Sequence, residues 1–380
     1  MTNFLLLIKD IRAISWVRIS LLIACSVSWA QPALVCAQDL GYGRGGLRVM
    51  TYNLDEGTDF IEVQNAKNVM DFLLAVGQSI TQVRATNPPS RMQAVARQIL
   101  AANPTLVSLQ EVDQWSSGPF DPSTGKCGPT ALEFDLLQEL LDALKAQGGQ
   151  YGVAVQAQQF GFPPTPALIL PSTFLCVQFA DSNVILARTD LNASKFQWSN
   201  PQSGQFVSRV VLPTAAGPVP LPRSWVSVDA QFHGNSFRFI GTHLETVIAN
   251  IGDQQGGELR AGPANTSLPV VIAMDANAQA FPLPQDPGYL HFIAAGYNDV
   301  WSELFPLTPG LTCCQAQLVN NPASQFTQRI DLILTLGNVE AKKIGLFGVD
   351  PNSMTPSGLW PSDHAGVAAR LTIDNEEDDR

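Results

Sequence analysis

The sequence predicts a mixed α/β (α+β) fold in one main domain, on three observations. Short apolar runs with strand character recur from residue 47 to residue 373, and amphipathic helical patterns alternate with the first of them. In addition, 45% of the 380 residues are hydrophobic, enough to bury a sizeable core. The first strand is LRVMTYNL at 47–54, preceded by the Gly-rich GYGRGG. Helical periodicity follows at 90–102 (SRMQAVARQILAA) and 130–147 (TALEFDLLQELLDALKAQ), with the strand TLVSLQEV at 105–112 between them. The middle of the chain is strand-rich: SNVILAR at 182–188, SWVSVDAQF at 224–232, FRFIGTHLE at 237–245 and LPVVIAMDAN at 268–277. RIDLILTL at 329–336 and HAGVAARLTI at 364–373 complete the set. Pro-rich, aperiodic stretches at 157–173 and 201–222 read as surface insertions. No internal repeat or composition shift divides residues 47–373, and residues 374–380 read as a solvated acidic tail.

Residues 1–37 read as a signal peptide. Lys9, Arg12 and Arg18 precede an apolar run from Ile19 to Ala30, and small residues offer cleavage after Ala30 or Ala37. The run is too short to span a bilayer comfortably, so no transmembrane span is expected in the mature chain. Residues 38–46 are then a Gly-rich linker, and the predicted location is secreted or periplasmic. Four cysteines survive cleavage at Ala37: Cys127, Cys176, Cys313 and Cys314. An even number without any Cys-x-x-Cys spacing favours disulfides in an oxidising compartment. Cys127 with Cys176 is the preferred pairing. Cys313 and Cys314 could bridge each other only with strain, so cross-pairing of each with one of the others stays open.

Charge restricts the function classes. Lys and Arg number 22 against 33 Asp and Glu, a net charge of −11, and losing residues 1–37 lowers it by two, to −13. No broad basic field exists to hold nucleic acid by counterion release. What carries information is where polar residues interrupt the apolar runs. Asn53 and Asp55 close the first strand, Glu111 the second, His243 the FIGTH strand, and Asp275 with Asn277 the VVIAMDAN strand. Asp331 sits just inside RIDLIL, and Asp363 with His364 opens the last strand. Acids and amides at the ends of buried strands are costly unless they converge on a shared ion or substrate. His233 and His291 fit no such pattern and read as structural or exposed, and Trp225 and Trp301 as core.

The ordered series TYNLD, LQEV, SNVILAR, GTHLE, MDAN, RIDLIL and SDH resembles the endonuclease/exonuclease/phosphatase superfamily, the group of pancreatic-type DNase, abasic-site endonucleases, bacterial sphingomyelinases and inositol polyphosphate 5-phosphatases. The resemblance spans residues 47–373. It implies a DNase I-like four-layer αββα sandwich, two packed and mainly antiparallel sheets flanked by helices, with the site at one rim. It also implies roles. Glu111 would be the principal Mg²⁺ ligand, with Asn53, Asp55 and Asp363 near the metal or holding its waters. Asp275 would orient and deprotonate the attacking water, and Asn277 would contact the scissile phosphate. His364, held by Asp331, and His243 would donate to phosphate oxygens, with Arg188 a further phosphate contact. Two departures stand out: AMDAN replaces the family's common Gly-Asp, and the Gly-rich NIGDQQGGELRAGPAN weakens the helix usual after GTHLE.

Elementary chemistry agrees with these roles. Phosphodiester cleavage needs charge neutralisation at the phosphoryl oxygens and an activated water, both of which a divalent cation supplies. Carboxylate and amide oxygens suit Mg²⁺, Mn²⁺ or Ca²⁺ better than zinc. The expectation is an exported, Mg²⁺-dependent phosphoric-diester hydrolase attacking with water directly, with a nuclease as the leading reading and no stable protein partner. A sphingomyelinase-like phospholipase C or a phosphomonoesterase is the alternative within enzymes. For the phospholipase, the insertion FGFPPTPALILPSTF (160–174) would be a membrane loop; otherwise it is a disulfide-pinned flap. Outside enzymes, the alternative is a catalytically silent binding protein on the same scaffold.

Overall fold

The computed structural model describes residues 46–214 and 217–374. The expectations for the signal peptide, for most of the linker and for the tail beyond residue 374 lie outside them.

Two sheets face each other. In the first, Val339–Phe347, Gly366–Ile373, Leu47–Asn53, Leu106–Gln110 and Thr173–Arg188 lie side by side, and both Gln114–Asp121 and Tyr151–Ile169 pair with the last of these. The second runs Asn298–Asp299, Asp331–Leu336, Val270–Asp275, Asn235–His243, Ser224–Phe232, Phe196–Gln205. Pairing is antiparallel except at two places, Leu47–Asn53 with Leu106–Gln110 and Asn235–His243 with Val270–Asp275.

Period-two alternation builds the layers. Val49, Leu106, Phe239, Val271, Ala273 and Val367 point between the sheets. Their neighbours Met50, Val107 and Ala368 point outward onto helices Pro88–Ala102 and Leu136–Ala146 through Met92, Val95, Ile99 and Leu140. On the other face Ile240, Ile272 and Met274 meet Leu259, Tyr289 and Phe292 of helices Ala249–Ala261 and Pro287–Ala294. This is the predicted four-layer αββα sandwich. Each fully buried Val, Leu or Ile contributes roughly 1.5–3 kcal/mol. An exposed ion pair contributes about 0–1 kcal/mol, so the three apolar layers hold the fold.

Four elements depart from the sequence reading. Helix 130–147 starts later than predicted: Ala131–Asp135 pairs with Gln114–Asp121, and the Asp135 side chain then caps the helix by accepting from Gln138 N at 3.0 Å. The Gly-rich segment after GTHLE does form a helix, because its glycines permit close packing; a Cβ on Gly252 would lie 2.5 Å from the Glu245 carbonyl oxygen. Residues 157–173 are mostly strand, not a loose insertion. Their prolines are tolerated because Tyr151–Ile169 pairs only with Thr173–Arg188 and needs no hydrogen bonds on its other side. Residues 201–222 likewise hold the end of Phe196–Gln205 and a hairpin, Val210–Thr214 with Gly217–Leu221.

The Tyr151–Arg188 hairpin extends beyond the sandwich and carries helix Val69–Thr86, which the sequence reading did not anticipate. Trp115, Phe179, Val76, Ile80 and Val83 form a separate small core there. The Cys127–Cys176 disulfide pins this arm, as preferred from the sequence, and Cys313 pairs with Cys314. Trp301 is core, Trp225 is half-buried, and His233 and His291 are exposed. No helix among the described residues is long and apolar enough to cross a membrane.

Candidate active site

Strand register delivers the polar strand ends to one rim. Asn53 pairs with Gln110 across the parallel strands of the first sheet, so Glu111, the next residue, emerges beside Asn53. In the second sheet, parallel pairing sets His243 opposite Asp275, and antiparallel pairing sets Asp331 opposite Asp275 on the other side. Asp363 and His364 lie just before the final strand. Asn53 then joins the two sheets: its amide Nδ2 donates to Glu111 Oε1 at 2.8 Å and to Asp275 Oδ2 at 3.0 Å. The Asn277 amide N–H donates to Asp275 Oδ1 at 3.0 Å. His364 Nδ1 sits 2.8 Å from Asp331 Oδ2 and 3.8 Å from Asp275 Oδ2, while His243 Nε2 is 3.5 Å from that same Asp275 oxygen. Glu111, Asp275 and His364 are therefore brought together at one rim.

The backbone is strained at this rim. Asp55, Glu111 and Asn277 all adopt left-handed conformations, at φ 64°, 52° and 45°. Such conformations cost of order 1–3 kcal/mol each, persist where surrounding structure enforces them, and cluster at functional sites.

Electrostatics separates the groups. Burial and then the charge of Asp363 push Glu111 up to about 8, against the pull of His364 and the Asn53 hydrogen bond. Burial also pushes Asp363 up to about 7, with His364 and Arg91 opposing and Asp55 and Asp331 adding. Asp275 rises to about 6 through burial and Asp331, again opposed by His364. Burial disfavours a charge on His364, yet Asp331, Asp363 and Asp275 together hold it well above the ordinary imidazole range. His243 goes the other way. Burial, Arg223 and His364 push it well below its ordinary value, and both its ring nitrogens are approached by donor groups, Arg223 Nη1 at 3.2 Å and Asn277 Nδ2 at 2.8 Å.

Of the residues predicted for the site, Asn53, Glu111, His243, Asp275, Asn277, Asp331, Asp363 and His364 meet there. Asp55 lies beneath it, its Oδ1 accepting from Gly57 N at 2.7 Å and its Oδ2 3.3 Å from the buried guanidinium of Arg91. Asn53 Oδ1 accepts from Asp55 N at 2.9 Å, so both residues flank Glu111, where the resemblance puts them near the metal or holding its waters. Arg188 is a correction outright. It lies at the far end of its strand, where it pairs with Asp190 and with Asn103 Oδ1 and its backbone N–H reaches Thr105 O, before the strand whose other end leads to Glu111. SNVILAR spans the sheet, so its first residues reach the rim and its last does not. Asn183, fully buried, is the one that does: its Nδ2 donates to Gln159 Oε1 at 2.9 Å and to Ser224 O at 2.9 Å.

Sequence reasoning also missed Arg223, Glu56, Asp113 and Asp181. Arg223 precedes the Ser224–Phe232 strand and touches His243. Glu56 donates its backbone N–H to Glu111 Oε2 at 2.7 Å, and burial with Glu111 and Asp181 raises its carboxyl well above the usual range. Arg223 and Asp181, each at or near the start of an apolar strand segment, carried the same strand-end signal as Asp331. Cys314 Sγ lies 3.8 Å from His364 Nε2.

Comparison with known proteins places this geometry. A family model described as Endonuclease/Exonuclease/phosphatase family matches residues 50–364. No curated protein matches the sequence. Among solved structures, an endonuclease/exonuclease/phosphatase family protein from Bacteroides thetaiotaomicron is 17% identical with a TM-score of 0.52, the match covering 88% of this chain and 100% of that one. A family protein from Leptotrichia buccalis is 14% identical with a TM-score of 0.50, covering 86% of this chain and 100% of that one. A functionally unknown conserved protein from Enterococcus faecalis gives the same four figures. The order of the strand-end residues, their convergence on one rim and the family match over most of the sequence agree: the chain belongs to the endonuclease/exonuclease/phosphatase family, hydrolases that act on phosphoester bonds.

Proposed function

We propose that this chain is an exported, Mg²⁺-dependent phosphodiesterase that breaks a P–O ester bond by direct in-line attack of water, with no covalent intermediate. The observation that carries the reading is a carboxylate base, Asp275, held between a cationic His364 and a neutral His243 at one rim with Glu111 and Asp363. The donor set fits a hard cation. Burial and the charge of Asp363 raise the affinity of Glu111 for a proton, burial with Asp55 and Asp331 raises that of Asp363, and the same concentration of negative charge favours a divalent ion. Glu111 and Asp363 would hold Mg²⁺, with Mn²⁺ or Ca²⁺ as substitutes. When bound, the ion supplies charge neutralisation at the phosphoryl oxygens and a more acidic water.

The chain's own residues do the rest. Asp275, at about 6, is a base near neutral pH, and its Oδ1 is fixed by Asn277 N–H and its Oδ2 by the Asn53 amide. Water loses its proton to Asp275 as its oxygen reaches phosphorus. His364, kept charged by Asp331, stabilises the negative charge that grows on the phosphoryl oxygens. His243 serves as a neutral strut that orients Asn277 and Asp275 rather than as a charged phosphate donor. Export is supported by the N-terminal targeting pattern and the Cys127–Cys176 bridge. The nuclease expectation draws on the resemblance alone. In the cleft beside the site, Arg223 is the single cation among the described lining residues, and the net charge of −11 adds no attractive field.

The test is hydrolysis of bis(4-nitrophenyl) phosphate by the mature protein with Mg²⁺, with EDTA, and with Asp275→Ala. The expected result is turnover that EDTA abolishes and Asp275→Ala reduces by about 10²–10⁴. Equal rates for all three, or none from the wild type, would overturn the reading.

A further inference from the structure

Beside the catalytic rim lies a cleft of about 440 Å³ that the proposed chemistry does not use. Its inner end is shared with the site: Glu56 and Arg223 line it, and they contact Glu111 and His243 respectively. From there the walls become apolar. Phe60, Val63 and Val76 form one side, Phe162 the floor, and Leu212 and Leu221 of the Val210–Leu221 hairpin the other side. Side chains of such character exposed along a cleft lose free energy to water that only an apolar occupant recovers.

We propose that this cleft binds the hydrocarbon chain of a phospholipid-type phosphodiester, placing its phosphate at the Asp275 rim. The inference rests on the phosphodiesterase reading and names its substrate class. Three features select an aliphatic chain. The cleft adjoins the phosphate end through Glu56 and Arg223, so a substituent of a diester held in the site has a path toward it. The phenylalanines are engaged with one another, Phe60 with Phe162 edge-on at 6.3 Å and Phe160 with Phe162 at 6.5 Å, which leaves them poor platforms for stacking a base. Exposed aliphatics accompany the cleft: Val247, 41% exposed, lines it, and Ile61 at 52% and Ile248 at 45% are the chain neighbours of the lining residues Phe60 and Val247, the kind of side chain that adsorbs to a lipid surface. Arg223, at the end shared with the site, is the single cation among the described lining residues, so the apolar walls offer a nucleic acid no positive charge.

The experiment is a homologous series of n-alkyl 4-nitrophenyl phosphates, from methyl to dodecyl, assayed with the Mg²⁺-loaded mature protein. The scissile bond and leaving group stay constant while the tail lengthens. KM is expected to fall about three- to fourfold per methylene until the cleft is filled, and then to level off. Val63→Asp and Leu221→Asp are expected to flatten that dependence while leaving kcat/KM for the methyl ester within twofold. Leu221→Ala, a milder change, should raise KM for the dodecyl ester about tenfold, with the thermal midpoint confirming a folded protein. Phosphatidylcholine vesicles and duplex DNA complete the panel, and the vesicles should be the better substrate. Turnover of the methyl ester with no chain-length dependence, or DNA cleaved with a higher kcat/KM than the dodecyl ester, overturns the lipid assignment and leaves the phosphodiesterase standing. Failure to hydrolyse any ester, the methyl one included, defeats the phosphodiesterase and the lipid assignment with it.

Discussion

His364 and His243 face the same aspartate from two sides of one rim, yet one is held charged and the other neutral. The difference lies in their neighbours. His364 stands among Asp331, Asp363 and Asp275, whose charges outweigh the cost of its burial. His243 is just as enclosed but looks at Arg223 and at His364, whose charges add to that cost. Enclosure alone lowers an imidazole's proton affinity, and the surrounding charges decide whether a cation survives. One wall of the site can therefore stabilise negative charge, while the other only orients.

Removing the group between the two rings should have the largest effect. Asp275→Asn takes away the base and the oxygen both histidines approach, and kcat is expected to fall about 10³–10⁴-fold, read as steady-state kinetics at saturating Mg²⁺. Unchanged kcat would mean that the base is elsewhere.

Next is Asp331→Asn, which strips His364 of its main partner. A loss of about 10²–10³ in kcat is expected, and the alkaline limb of the pH–rate profile should move to lower pH because His364 then gives up its proton more readily. The stability signs differ for the two walls. His364's folded pKa is raised, so its contribution is complete below the unfolded value near 6.5 and is lost as pH rises through the folded value. His243's is lowered, so folding loses stability as pH falls below about 6.5. In Asp331→Asn the thermal midpoint should lose its decline on the alkaline side and keep its decline on the acid side. A variant that loses neither would show that Asp331 does not hold the proton on His364.

Arg223→Met tests the opposite wall. With the guanidinium gone, His243 should titrate closer to the ordinary range, the acid limb should move to higher pH, and kcat should drop about tenfold. If the acid limb stays put, Arg223 is not what keeps His243 neutral.

The smallest effect on chemistry is expected far from both rings. Replacing Cys127 and Cys176 together by Ser should lower stability by about 2–4 kcal/mol while leaving kcat on a small diester unchanged, because the bridge pins the hairpin arm and not the rim. Denaturant unfolding and the kinetic assay read the two separately.

The rim was legible in the sequence because it is made where apolar strands end, and a carboxylate, amide or imidazole in that position has no cheap structural purpose. Glu111 after LVSLQ and Asp275 after VVIAM are of this kind. Arg188 had the same appearance and the opposite location, since a strand has two ends and its sequence does not say which one faces the site. Asp181 and Asn183 were passed over because they lie inside the long Thr173–Arg188 strand, and Arg223 because it follows the Pro-rich stretch just before Ser224–Phe232. The hairpin arm was obscured further. Its prolines mask the alternation of an edge strand, and helix Val69–Thr86 is held by packing on that arm, with Gly77 allowing the close approach to Leu168.

The Asn53 amide fastens Glu111, from one sheet, to Asp275, from the other. A chain with a single sheet completed would carry half of the reaction centre and turn over nothing. Recovery of catalysis after denaturation thus reports the docking of sheet on sheet, a later event than the appearance of secondary structure, and offers a clock for the final act of assembly.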